Sequence, residues 1–254
     1  MKANNAKMLR RLIALAIIVL IVLAWEGTVR LFEVKQYLLP APSDVFMELW
    51  EFKASLVVDT LYTAWESFLG FGIALFFAFW FALFFANSRL FYESTMPLLI
   101  SLKAVPIIAM APLLILWLGN GVLSKSVMSA LICFFPIVVN LTKGLNTVPE
   151  EHLKLMKSLS ASRLQIFIKI RLPNSMPYLF SALKVASTLS VVGAIVAEFS
   201  GANKGIGYVI LVAALRIETP MLFCGIFLAS ALGVLFYYAI ETIESRVVFW
   251  EKTE

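Results

Sequence analysis

Six times along its 254 residues the chain runs apolar for a length close to a bilayer's hydrocarbon core, roughly Leu12–Phe32, Phe68–Ala86, Leu98–Leu118, Leu123–Leu141, Ser175–Ala197 and Met221–Ile243. Lipid offers a backbone no hydrogen-bond partner, so such runs cross as helices. The expectation is an all-α, polytopic membrane protein with about six transmembrane helices. Composition agrees: 61% of residues are hydrophobic and 15% charged, against about a quarter charged in soluble domains.

Charge orients the spans. Lys2, Lys7, Arg10 and Arg11 precede the first run with no acid among them, which places the N-terminus in the cytoplasm. Residues 33–59 then lie outside, with Glu33, Asp44, Glu48, Glu51 and Asp59 against Lys35 and Lys53. Six crossings return residues 143–173 and the C-terminus to the cytoplasm. That loop carries Lys143, Lys154, Lys157, Arg163, Lys169 and Arg171 against Glu150 and Glu151. The net charge of +5 thus reflects inside-facing loops, not a nucleic-acid partner. Trp25 and Glu26 stand where a signal-peptide cleavage site would follow the first run, so that run reads as an uncleaved span.

Local features shape the bundle. Pro106 and Pro112 fall in the third run and Pro136 in the fourth, each removing a helical hydrogen bond. "GNG" at 119–121 makes a tight hairpin between those spans. "LLPAPSDVFMELW" (38–50) reads as an extended stretch, a Ser43 or Asp44 cap and a short outer helix. The glycines of "SGANKGIGYVI" (200–210) demand a turn or re-entrant piece on the outer side.

Few residues could carry bond chemistry. Cys133 and Cys224 lie inside apolar runs and read as small core hydrophobes. The single histidine, His152, sits in a polar stretch and reads as solvated. No catalytic or metal site is expected. The fifth run combines small and polar residues, and Ser187, Thr188, Ser190, Gly193 and Glu198 are candidates to line a pathway; ordinary helix packing explains the serines equally. Glu198, near the outer end, and Glu66, before the second run, are either solvated rim acids or functional ones. Lys103 and Lys184 read as snorkelling cations.

Residues 149–173, "PEEHLKLMKSLSASRLQIFIKIRLP", interrupt this pattern. Pro149 with Glu150 and Glu151 starts a helix, proline in the first turn and acids at the positive end of the dipole. Leu153, Met156 and Leu159 form an apolar stripe. Ser162 and Gln165 fit a capping box that opens a second helix, with Leu164, Phe167, Ile168 and Arg171 on one face. Pro173 then opens the fifth span. Two short basic amphipathic helices either lie on the lipid surface or dock a cytoplasmic partner.

Here the chain resembles the permeases of ABC importers. Their cytoplasmic loop reads Glu-Ala-Ala, three residues, Gly, nine residues, Ile-x-Leu-Pro. Ile170, Leu172 and Pro173 stand at the right-hand positions. Lys154, Leu155 and Met156 replace Glu-Ala-Ala, and Ser160 replaces the glycine. "YLLPAPSDV", "KAVPIIAMAPLLILWLGNG", "FFPIVVN", "LPNSMPYLFSALKVA" and "ESRVVFW" extend the resemblance over most of the chain from about residue 37. In pattern it is similar to the nitrate, sulfonate and taurine group, which includes bicarbonate and thiamine-precursor systems.

The resemblance implies a type I importer permease fold and one permease domain over 1–254, with a core at 60–245 and coupling helices at about 149–173. It implies a bacterial inner-membrane location, a second permease copy, two ATPase subunits, an extracytoplasmic solute-binding protein and alternating access. Leu159, Ser160, Ala161, Ser162, Arg163 and Phe167 would dock the ATPase. Serine adopts positive φ less cheaply than glycine, so the turn at Ser160 is either ordinary or strained. Lys154 reverses a family charge and suggests a compensating acid on the ATPase. The chain has no G-x-x-x-x-G-K-[ST] phosphate loop. ATP and Mg would belong to the partner, with no cofactor expected in this chain. The implied substrate is a small anion or small organic nutrient. A passive channel or scaffold is the competing reading, but would not need two ordered basic helices. An intramembrane enzyme would need nucleophiles or ligands in the spans.

Overall fold

The computed structural model describes residues 2–250, without the side chains of residues 2–11 and 14. The side chains that carry the charge pattern of Lys2, Lys7, Arg10 and Arg11 therefore lie outside those described. The remainder is helical: α1 (Lys2–Leu31), α2 (Pro42–Glu51), α3 (Lys53–Asn87), α4 (Arg89–Ala104), α5 (Ile107–Leu118), α6 (Val122–Asn146), α7 (Glu150–Ser158), α8 (Arg163–Ile166), a π segment (Phe167–Arg171), α9 (Leu172–Glu198), α10 (Ile206–Arg216) and α11 (Thr219–Val247).

Among the described residues, α3, α6, the continuous stretch Arg163–Glu198 and α11 are each long and apolar enough to cross a membrane. The pair α4 and α5 makes a fifth crossing if it counts as one span. The continuous helix expected over Leu98–Leu118 is broken, with α4 and α5 meeting at 97°. Pro106 is the cause. It supplies no N–H and drives Val105 into the extended region, at φ −67 and ψ 129. Pro112 and Pro136 stay inside helices α5 and α6.

Two compact units result. One comprises residues 1–58 and 209–227, the other 59–208 and 228–254. In the first, the end of α1 is pinned to the start of α2. Arg30 bonds Glu26 (3.1 Å) and Asp44 (3.0 Å), and Ser43 Oγ donates to Glu26 (2.8 Å). The expected cap of α2 shifts by a turn's edge: Ala41 is the N-cap, and Asp44 reaches back to accept from its N–H at 3.4 Å. Trp25 packs on Phe223 and Phe227, and Cys224 Sγ donates to the Val45 carbonyl at 3.2 Å.

The second unit holds the larger core. Phe71, Ala74, Ala78, Ala82 and Phe85 repeat every three or four residues along α3, making one buried stripe. It joins a cluster with Cys133, Ile137, Leu141 and Leu145 of α6 and Leu179, Leu183 and Ala186 of α9. In lipid, close packing replaces the hydrophobic effect as the force between helices. Small residues allow it: a Cβ at Gly193 of α9 would lie 2.7 Å from the Ser129 Cα of α6. Ser129 Oγ donates to the Ser190 carbonyl at 2.9 Å, and Cys133 Sγ to the Ala186 carbonyl at 3.1 Å. Both cysteines are free and buried, as expected.

Candidate functional site

The segment 149–173 forms the two helices expected. Glu150 and Glu151 open α7 behind Pro149. The helix closes with paired bonds, Ser160 N–H to the Lys157 carbonyl (2.9 Å) and Ala161 N–H to the Met156 carbonyl (3.0 Å). This closure requires a left-handed residue between the helices, and Ser160 takes it at φ 55. Of the two conformations open to that serine, the strained one is present. The capping box then resets the chain: Ser162 N–H donates to Gln165 Oε1 (2.8 Å), and Gln165 N–H to Ser162 Oγ (3.2 Å).

Leu155, Leu159, Leu164 and Ile168 project outward, each more than half exposed. Ser160, Ser162 and Arg163 are exposed, Ala161 is half-buried, and Phe167 is half-buried against the core cluster. Lys154 pairs with Glu150 of its own helix at 3.3 Å, both side chains in solvent. His152 is exposed.

Pro173 does not begin a separate helix. Proline's ring would clash with the carbonyl four residues back. The chain relieves this with the π segment, where Leu172 N–H reaches back to the Phe167 carbonyl. The second short helix therefore runs into the fifth span as one stretch, Arg163–Glu198, of 36 residues. At 1.5 Å per residue it is ~54 Å long.

Its far end carries a buried polar cluster. Glu198 is fully buried, so it is not a solvated rim acid. Its Oε1 accepts from Thr63 Oγ1 at 2.7 Å and its Oε2 from the Gly207 N–H. Ile206 N–H donates to Thr63 Oγ1 at 2.8 Å, and Gly205 N–H to Asp59 at 2.8 Å. Gly205 has φ 106, and a Cβ there would overlap Glu198. Glu66 is buried rather than at a rim; it faces Glu198 and Lys125. Lys125, also buried, donates to Asn120 Oδ1 (3.1 Å) and the Gly121 carbonyl (3.3 Å). Asn120 in turn donates to the Gly201 carbonyl. The turn after α9 is thus tied both to α3 and to the α5–α6 hairpin.

Of the other pathway candidates, Ser187, Ser190 and Gly193 are buried on the face of α9 that meets α6, while Thr188 is half-buried. Lys184 does not snorkel freely; it pairs with Glu244 of α11 at 2.7 Å. Lys103 sits over the Phe135 ring at 4.6 Å. Sequence reading missed Thr63 and Lys125. Thr63, Glu66, Ser67 and Gly70 do recur at helical spacing on one face, a polar stripe in an otherwise apolar helix. Among the described residues no group of three or more His, Cys, Asp or Glu side chains is placed to hold a metal.

Residues 55–249 match the family described as the binding-protein-dependent transport system inner membrane component. The chain belongs to this family. An ABC transporter permease protein of Haemophilus influenzae is 31% identical, over 95% of this chain and 98% of its own. The formylaminopyrimidine transport permease ThiX of Halalkalibacterium halodurans is 32% identical, over 92% and 94%. The riboflavin permease RibX of Chloroflexus aurantiacus is 30% identical, over 92% and 88%. Taurine and nitrate permeases are similar over 61% and 63% of this chain. The fold is shared with the inward-facing MetNI methionine ABC transporter, at TM-score 0.65 and 18% identity, over 78% of this chain and 98% of that one. The protein is the membrane-spanning permease component of an ABC importer, in the group the sequence pattern indicated.

Proposed function

We propose that residues 149–173 are the coupling element through which a separate ATPase drives this permease. The observation that carries the reading is the exposed helix–turn–helix: a strained Ser160 and a two-way capping box hold Leu155, Leu159, Leu164 and Ile168 outward. Leu159, Ser160, Ala161, Ser162 and Arg163 form its docking surface, with Phe167 anchoring it to the core. Lys154 pairs with Glu150 within α7, but both side chains are in solvent, where such a pair is worth little, so Lys154 is still free to meet an acid on the ATPase.

Because Arg163–Glu198 is one helix, a displacement at the docking end reaches the Glu198 cluster without crossing a loop. Closure of the ATPases around nucleotide would tilt this lever. The tie from Glu198 to Thr63 and Gly207 would carry the tilt to α3 and to the turn after α9. Thr188, half-buried on α9, is the better candidate to meet solute. Ser187, Ser190 and Gly193 keep α9 close to α6, and Glu198 acts on the pathway through the turn it holds.

The working assembly is two such chains with two ATPases and an extracytoplasmic binding protein. Six spans per chain, with both termini in the cytoplasm, fit the charge of the loops and an inner-membrane site. ATP and Mg belong to the ATPases. The substrate we propose is a small heteroaromatic nutrient of the thiamine-precursor type, from the formylaminopyrimidine and riboflavin names of two relatives aligned over nearly the whole chain. The test is purification of the tagged chain in mild detergent after co-expression with the ATPase and binding protein encoded beside it. Recovery of a complex whose ATPase responds to loaded binding protein supports the reading; recovery of the permease alone argues for a channel or scaffold.

A further inference from the structure

Near the end of α6 from which the coupling segment departs, α3, α4 and α6 enclose an open cavity of about 650 Å³. Its lining is mixed. Phe85, Met96 and Val139 contribute apolar surface, while Arg89, Lys143 and Asn146 contribute polar groups, two of them exposed cations. No acid lines it. Glu93, one turn beyond Arg89, takes the Arg89 Nε at 2.7 Å. A guanidinium has five N–H donors, so its terminal nitrogens remain available. Among the described residues Lys143 has no acidic partner; it lies 5.9 Å from the Tyr178 ring. The cavity sits where the long apolar helices α3 and α6 give out, at Asn87 and Asn146. With α3 and α6 as crossings, their ends fall where a lipid turns from acyl chain to headgroup.

We propose that this cavity is a binding site for the phosphodiester headgroup of an anionic phospholipid. The phosphate would lie between Arg89 and Lys143, and the first acyl carbons on Phe85, Met96 and Val139. The volume is in the usual range for small-molecule sites, roughly 300–1,000 Å³, and far exceeds what a bare phosphate fills. Basic pockets between membrane helices are suited to anionic headgroups, and each basic residue at a lipid surface adds enough attraction for the pair to confer roughly a thirty-fold preference. A free phosphate ester shares the anionic chemistry but leaves the apolar surface unused. The site is independent of ATPase docking, since it uses none of the residues assigned to that surface.

The test is native mass spectrometry of the complete transporter, delipidated in detergent and titrated with phosphatidylglycerol, phosphatidylcholine or glycerol phosphate. Wild type should retain phosphatidylglycerol well above phosphatidylcholine, and glycerol phosphate should not displace it. The double variant Arg89→Gln/Lys143→Gln should lose that preference, by roughly thirty-fold. The charge-conserving Arg89→Lys/Lys143→Arg pair should keep it, which separates loss of charge from loss of fold. Equal retention of both lipids by wild type, unchanged retention in the Gln pair, equal loss in the charge-conserving pair, or displacement by glycerol phosphate would each overturn the proposal.

Discussion

Thr63 Oγ1 donates a 2.7 Å hydrogen bond to Glu198 Oε1, joining fully buried residues that stand 135 positions apart in sequence. With the Gly207 N–H on the other oxygen, the carboxyl group ties the outer part of α3, the end of the α9 lever and the turn into α10 together. Thr63, Gly207 and the neighbouring Glu66 are all buried, so none has water to fall back on.

Glu198→Ala should therefore destabilise the protein markedly. The Gly207 N–H would be left buried without that acceptor, at roughly 1–3 kcal/mol, while the Thr63 hydroxyl would fall back on the Asp59 carbonyl at 3.2 Å. Thermal unfolding in detergent should show a clear fall in midpoint. Glu198→Gln, which keeps one acceptor oxygen, should fall less. An unchanged midpoint in the alanine variant would remove the tie from consideration.

Ile217 offers the opposite case. It closes α10 at φ 61, with Glu218 N–H on the Ala213 carbonyl at 2.9 Å. A β-branched residue is poorly suited to that conformation. Its side chain is 67% exposed, so little packing is lost on replacement. Ile217→Gly should stabilise the fold by about 0.5–1 kcal/mol once glycine's extra chain entropy is subtracted, read as a higher unfolding midpoint. A lower midpoint would mean that the exposed side chain packs in the assembled transporter.

Ser160 should divide stability from coupling. Ser160→Gly relaxes φ 55 and should leave transport-linked ATPase activity intact or slightly raised. Ser160→Val should displace α7 from α8 and uncouple the ATPase from loaded binding protein, while the permease still folds. The readout is the ratio of stimulated to basal ATPase rate. Equal ratios in the two variants would dismiss the turn as a determinant.

Glu48 of α2 is half-buried. Burial first, then the like charges of Glu51 and Glu218, raise its pKa above the ordinary carboxylate range. A carboxyl raised in the folded state stabilises fully only below its unfolded pKa, near 4.3, and that contribution is lost as pH climbs through the folded value. Glu48→Gln should accordingly raise the unfolding midpoint at about pH 7 and match wild type at about pH 4, the difference staying small because the group is largely solvated. A loss of stability at neutral pH would contradict the assignment.

What sequence could and could not reveal follows from range. Apolar length located the helices, and the Ser162–Gln165 box was legible because both halves lie within one turn. The bend at Pro106 was half visible: proline marked a weak point, but nothing local said that Val105 would turn the chain while Pro112 and Pro136 would not. The π segment before Pro173 escaped because spacing alone cannot tell a stopped helix from one that widens and continues. Sequence left Glu198 and Glu66 open between rim and functional roles because their burial depends on Thr63, Lys125 and the glycine turn, brought together only by tertiary contact. Left-handed helix ends at Glu33 and Ile217 escaped for a simpler reason, since glycine, the usual signal, is absent from both; at Ser160 the family pattern marked the turn but left its conformation open.

The most direct measurement is photo-crosslinking in the assembled transporter. A photoreactive residue at Leu159, on the docking face, is compared with one at Trp117, which is as exposed but lies on the apolar helix α5. ATPase docking through residues 149–173 requires capture of the ATPase subunit from position 159, sensitive to nucleotide, and none from 117. Capture of lipid alone at both positions would contradict it and return residues 149–173 to the membrane surface.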